Sequence, residues 1–261
     1  PETLFALVHF DGPVGGWASL AAEAFERWNG AVAGPGEEYA CAEAEQAIAQ
    51  PNERLVAAEE FAESDQLAAL ASRLSDLYQF SAVLRPSSAE ATGRFEPRRT
   101  GGFSYFSFGG SPSGGSETPS AALGFWVGLE GRDESDRREL QAKLADIVDD
   151  LVRSGGVLQA VMDRWAWAPA MRASSLPFEI VCGYNSSGHL HVDWLGRYLR
   201  AATSTVWIGP QLWSHLEAES VDAVAEIEAL DGARRVVRRE ETSADAFERA
   251  LEPVLPRPED W

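Results

Sequence analysis

An α+β fold, with a mixed, largely antiparallel sheet packed against amphipathic helices, follows from three features of the 261-residue chain. Short apolar runs of strand length recur between turn residues, as in TLFALVHF at 3–10 and AALGFWVGLE at 121–130. Two longer segments carry apolar residues at helical spacing: Trp17, Leu20, Ala21, Ala24, Phe25 and Trp28, then Leu140, Leu144, Ile147, Val148 and Leu151. Near the C-terminus, Asp231-Gly232 separates two extended runs in the manner of a tight hairpin turn.

In chain order, the first strand ends at DGPVGG, and the helix after it is expected to close at Asn29-Gly30. Residues 37–65 are strongly acidic and read as short helices with one strand near 53–58; the alternative is an acidic docking face. Ser64-Asp65 is placed to cap a helix striped by Leu67, Leu70, Leu74 and Leu77, followed by a strand at 80–84 that Pro86 stops. A basic, Pro-containing loop leads to the aromatic strand FSYFSF at 103–108, and antiparallel pairings are expected among the 80, 103 and 123 regions. The GGSPSGGSETPS run between strands lacks the lysine and the following helix of a phosphate loop, so it is read as a hairpin loop.

The helix from Glu134 stops at Ser154-Gly155-Gly156, and 157–164 is read as a second short helix. Residues 179–183 and 203–208 suit strands, the stretch from Trp194 a helix with Arg197 and Arg200 outside, and 243–251 a helix capped by Ser243. With no repeat of 20–50 residues, the chain reads as one compact α+β domain over 1–261, with a possible subdivision near 155.

Composition narrows the function. With 22 basic against 41 acidic residues, the formal net charge of −19 repels nucleic acid and steers a basic protein partner. Cys41 and Cys182, far apart, make neither a disulfide framework nor a thiolate zinc site. No apolar run reaches the length of a membrane span, and no basic start precedes one, so neither a span nor a signal peptide is expected, and the cytoplasm is the expected compartment.

Residues 177–216 gather three of the four histidines and three of the nine tryptophans. His189, His191 and Asp193 have the spacing His-x-His-x-Asp, which on an extended segment lets two imidazoles face one metal ion and supports a metal-dependent hydrolase as the alternative function. A dinuclear site of that kind needs another histidine after the aspartate, where Trp194 stands, and further histidines downstream, where His215 is the last. The favoured reading therefore takes no catalytic residue, metal or cofactor, and gives Asp193 to the start of a helix with Trp194 and Leu195 in the core.

The order of helix, aromatic segment and strand, then Val-x-Trp-Leu at 192–195, a short strand, a hairpin and a final helix ending in Leu-x-Pro at 251–253, resembles the immunity proteins of polymorphic-toxin and type VI secretion systems. The resemblance covers mainly 155–256, more weakly 121–153, and hardly the first 80 residues. The chain departs from that pattern around Trp165 and in the His-x-His before Trp194-Leu195, a pair carried over as a structural landmark. The resemblance implies a non-enzymatic cytoplasmic inhibitor that binds one cognate toxin; the charge suits a basic toxin such as a nuclease. Candidate contacts are Glu37, Glu38, Glu43, Glu45, Glu59, Glu60 and Glu63 in the acidic stretch, with Tyr184 and His189 in the central loop.

Overall fold

Among the described residues, ten strands form one antiparallel sheet in the order β3-β2-β4-β5-β6-β1-β7-β8-β10-β9. The protein is seen in a computed structural model that describes residues 2–11, 18–33, 37–44, 52–57, 79–86, 101–108, 120–166 and 197–255. The strands are β1 (Glu2–Asp11), β2 (Glu37–Ala44), β3 (Asn52–Ala57), β4 (Gln79–Pro86), β5 (Gly101–Phe108), β6 (Ser120–Gly128), β7 (Val157–Ala166), β8 (Thr205–Ile208), β9 (Ala225–Leu230) and β10 (Ala233–Arg238). The described helices are α1 (Ala18–Val32), α2 (Glu134–Arg153), α3 (Pro210–Trp213), α4 (Ala218–Asp222) and α5 (Ala244–Leu251), which runs into a 3₁₀ turn at Glu252–Val254.

Strand alternation explains the two cores. On β1, Leu4, Ala6, Val8 and Phe10 share one face with Leu123, Phe125 and Val127 of β6, Ala160 and Met162 of β7, and Trp207 of β8. This face is covered by Phe25 and Trp28 of α1 and by Leu144, Ile147, Val148 and Leu151 of α2. Phe125 makes edge-on contacts with both α1 aromatics, at centroid distances of 5.8 Å to Phe25 and 6.3 Å to Trp28. The opposite face buries Val161, Val206, Ile208 and Val236 against Leu212, Val221, Phe247, Leu251 and Val254, with Phe5 and Leu7 at its margin.

The expected antiparallel pairings hold: β4 pairs with β5 through Phe80↔Tyr105, and β5 with β6 through Phe103↔Phe125. α2 and α5 are both capped, α5 by the expected Ser243. Asp133 accepts the Asp136 amide at 2.9 Å, Ser243 accepts that of Ala246 at 3.2 Å, and Gly155 and Gly156 end α2 with φ of 85° and 74°. Gly232, with φ 90°, makes the β9–β10 turn.

Four expectations are corrected. Residues 157–164 are strand, not helix: β7 pairs with β1 from Thr3↔Trp165 to Phe10↔Val157, and it is buried on both faces. Residues 37–44 form a strand as well, so the acidic stretch supplies β2 in addition to β3. α1 continues past Asn29-Gly30 because Val32 still packs into the core. Arg200 is not outside but buried, on a segment that leaves helical geometry after Arg197.

Candidate functional site

The sequence-predicted site divides between described and undescribed residues. Tyr184, His189, His191, Asp193, Trp194 and Leu195 lie outside the described residues, as do Glu45, Glu59, Glu60 and Glu63. Glu37, Glu38 and Glu43 lie on β2, second from one edge of the sheet, at register positions opposite Pro86, Arg85 and Phe80 of β4. Among the described residues, no group of three His, Cys, Asp or Glu side chains is placed to hold a metal ion. No described helix is long and apolar enough to cross a membrane.

Two buried polar clusters were not singled out by sequence. The first joins α2 to the β8–β10 wing. Asp149 interrupts the apolar stripe of α2, and its carboxylate accepts the Trp207 indole N–H at 2.7 Å and Arg235 Nη1 at 2.6 Å. Arg235 also donates to Glu228, and Arg153 reaches Asp149 at 3.9 Å. Burial pushes the Asp149 carboxyl above its usual range, against the Trp207 hydrogen bond and the Arg235 and Arg153 charges. Both carboxylate oxygens are engaged, so this group braces two elements and presents no free base.

The second cluster anchors residues 198–204, the chain that emerges directly from the undescribed 167–196 stretch. Gln159 of β7 donates its amide to the Tyr198 carbonyl and accepts the Arg200 N–H, both at 2.7 Å, so one side chain imitates a strand pairing. Four residues on, Asp163 accepts the Ser204 N–H at 2.9 Å and its hydroxyl at 2.8 Å. Leu199 N–H donates to the Val254 carbonyl at 2.6 Å, tying the segment to the C-terminal turn.

His9 lies opposite Gln159 in the β1–β7 register and is fully buried, with Nε2 3.4 Å from Arg200 Nη1. A guanidinium has donors alone, so Nε2 is the acceptor and the ring proton belongs on Nδ1, which has no hydrogen-bond partner among the described residues. Burial, then the Arg200 charge, hold the imidazole well below its usual pKa. The sequence signal for this cluster was slight: one histidine in an apolar strand and one glutamine in an apolar run.

Beside this anchor the sheet bulges, because His9 pairs with Gln159 but Phe10 with Val157, leaving Leu158 between them. Gly209 donates to the Leu158 carbonyl at 3.1 Å, an approach that a Cβ would block by lying 2.6 Å from that oxygen.

No family model matches the chain, and no curated protein matches its sequence. Among solved structures it is similar to a type VI secretion system protein from Pseudomonas aeruginosa, T6SS protein PA0821, with a TM-score of 0.59 and 11% identity. The similarity spans 97% of this chain and 73% of the other, and it is a likeness of fold.

Proposed function

We propose that this chain is an immunity protein associated with type VI secretion, which neutralises a cognate toxin in the cytoplasm by binding it and performs no catalysis. The observation that carries this reading is the fold likeness to a T6SS protein along 97% of the chain. The sequence resemblance over 155–256 points to the same systems independently of that likeness. The net charge of −19 supports a basic partner, because opposite fields raise the association rate and disfavour wrong partners.

The acidic stretch and the loop holding Tyr184 and His189 are the proposed contact surface. Co-expression with the toxin encoded beside the gene is the test. Rescued growth, together with a stable complex of the two purified proteins, is the expected result. Undiminished killing by every neighbouring toxin refutes the reading. Changing Glu37, Glu38 and Glu43 together to lysine should slow association and flatten its salt dependence, since surface charges act mainly on the on-rate.

A further inference from the structure

We propose that the outer edge of β9 docks an extended, lysine- or arginine-bearing segment of another protein, which joins the sheet as a further strand. This docking mode goes beyond the proposed function and stands whether or not the partner is a toxin. Register, exposure and charge at Ala225–Leu230 carry it.

Register decides which backbone groups are available. The Arg238 N–H donates to the Ser204 carbonyl at 2.9 Å, on the β8 side, and the Arg239 N–H donates to the Val224 carbonyl at 3.2 Å, on the β9 side. Backbone groups alternate in direction along a strand, so Arg235 and Val237 bond toward β9, where Glu228 and Glu226 bond back. The N–H and C=O of Ile227 and Ala229 therefore point away from β10, off the last strand of the sheet among the described residues. No backbone bond from the described residues outside the ladder reaches them. Ala225 is buried, but Glu226, Glu228 and Ala229 are exposed, with Ile227 and Leu230 half-buried. Neither a proline nor a bulge blunts the strand, which pairs with β10 without a register shift from Ala225↔Arg238 to Leu230↔Ala233. Such an edge is a template for strand addition.

Side chains choose the occupant. Glu226 and Glu228 share the face of β9 that carries Leu230 to the α2 core, and Ile227 lies on the other face. Glu228 is paired with Arg235, whereas Glu226 has no ion pair among the described residues. A strand laid against β9 is favoured by cationic side chains opposite these glutamates and by small or apolar ones opposite Ile227 and Ala229. A second copy of this chain fits badly. The antiparallel two-fold registers that pair most of β9 set Glu228 against Glu228 or Glu226 against Glu228, and each copy brings a net charge of −19. The glutamates thus guard the edge against self-pairing and leave it open to a basic strand.

Nuclear magnetic resonance of the intact protein tests this, with a blocked peptide alternating lysine and threonine as probe and its glutamate counterpart as control. In the free protein the Ile227 and Ala229 amides should exchange freely while those of Glu226 and Glu228 are protected. Saturating lysine peptide should slow Ile227 and Ala229 about tenfold. Added salt should reduce that effect, and the glutamate peptide should produce none. Ala229→Pro removes an outward donor and no ladder bond, a change that an edge strand tolerates, and should weaken the lysine peptide about tenfold. Four results overturn the docking site: outward amides already protected without peptide, protection gained on raising protein concentration alone, no slowing by the lysine peptide, or equal slowing by both peptides. Should Ala229→Pro not fold, Glu226→Lys decides. It should shift the ratio of the two affinities severalfold toward the glutamate peptide, and an unchanged ratio overturns the site.

Discussion

Replacing Asp149 with alanine tests whether one carboxylate ties α2 to the β8–β10 wing. The substitution strands the Trp207 indole N–H, now 2.7 Å from its acceptor, in a side chain that is 0% exposed. A buried donor left without a partner costs about 1–3 kcal/mol. Arg235 loses its 2.6 Å contact but retains Glu228 and is a quarter exposed, so its share is smaller, about 1 kcal/mol. The sum, about 3 kcal/mol, lies at the low end for breaking a buried charge pair. Urea unfolding should show a lower midpoint with an unchanged slope. A loss below about 1 kcal/mol would refute the brace. In a double-mutant cycle with Trp207→Phe, the coupling should reach about 1–2 kcal/mol, since either single change already breaks the bond.

Further outcomes follow from the same contacts. Asp149→Asn retains an acceptor for Trp207 and removes the desolvated charge, so it should cost less than alanine in the same titration. Because the folded carboxyl is raised above 3.8, its contribution is complete below that pH and declines as pH rises through the folded value. The stability of Asp149→Asn relative to wild type should therefore improve over that window, and a trend of opposite sign would show the ion pair dominating. Gln159→Ala removes both bonds to residues 198 and 200 and should lower stability by about 2–4 kcal/mol, with protection lost first at Arg200. Gly209→Ala forces a Cβ against the Leu158 carbonyl and should cost about 1–3 kcal/mol by thermal or urea unfolding.

Where periodicity and punctuation agreed, the chain could be read directly. The α2 stripe had its closing glycines, and the β9–β10 hairpin had its Asp-Gly turn. β7 misled because a strand buried on both faces has no polar side to reveal a period of two. Its Leu158, Gln159, Ala160 and Met162 are also all comfortable in helices. β2 misled for a related reason: alanine and glutamate favour helix locally, and pairing with β3 and β4 overrides that preference. The polar clusters were illegible because each is assembled from distant residues, Asp149 with Trp207 and Arg235, or His9 with Gln159 and Arg200. Nothing in the local sequence announces such partners. The residues that sequence did single out for metal or partner binding lie outside the described residues, apart from Glu37, Glu38 and Glu43.

The position of β1 has a consequence for how the molecule is assembled. β6 and β7 both run antiparallel to β1, so they are parallel to each other, joined through α2, with β1 threaded between them. Among the described residues, every hydrogen-bonded ladder between the β3-to-β6 group and the β7-to-β9 group passes through these ten residues. During synthesis β1 leaves the ribosome more than a hundred residues before either neighbour, and its two ladders require that 120–166 has followed. Capture of β1 between its two neighbours closes the sheet, and the β1 amides become the place where exchange reports on opening of the whole sheet.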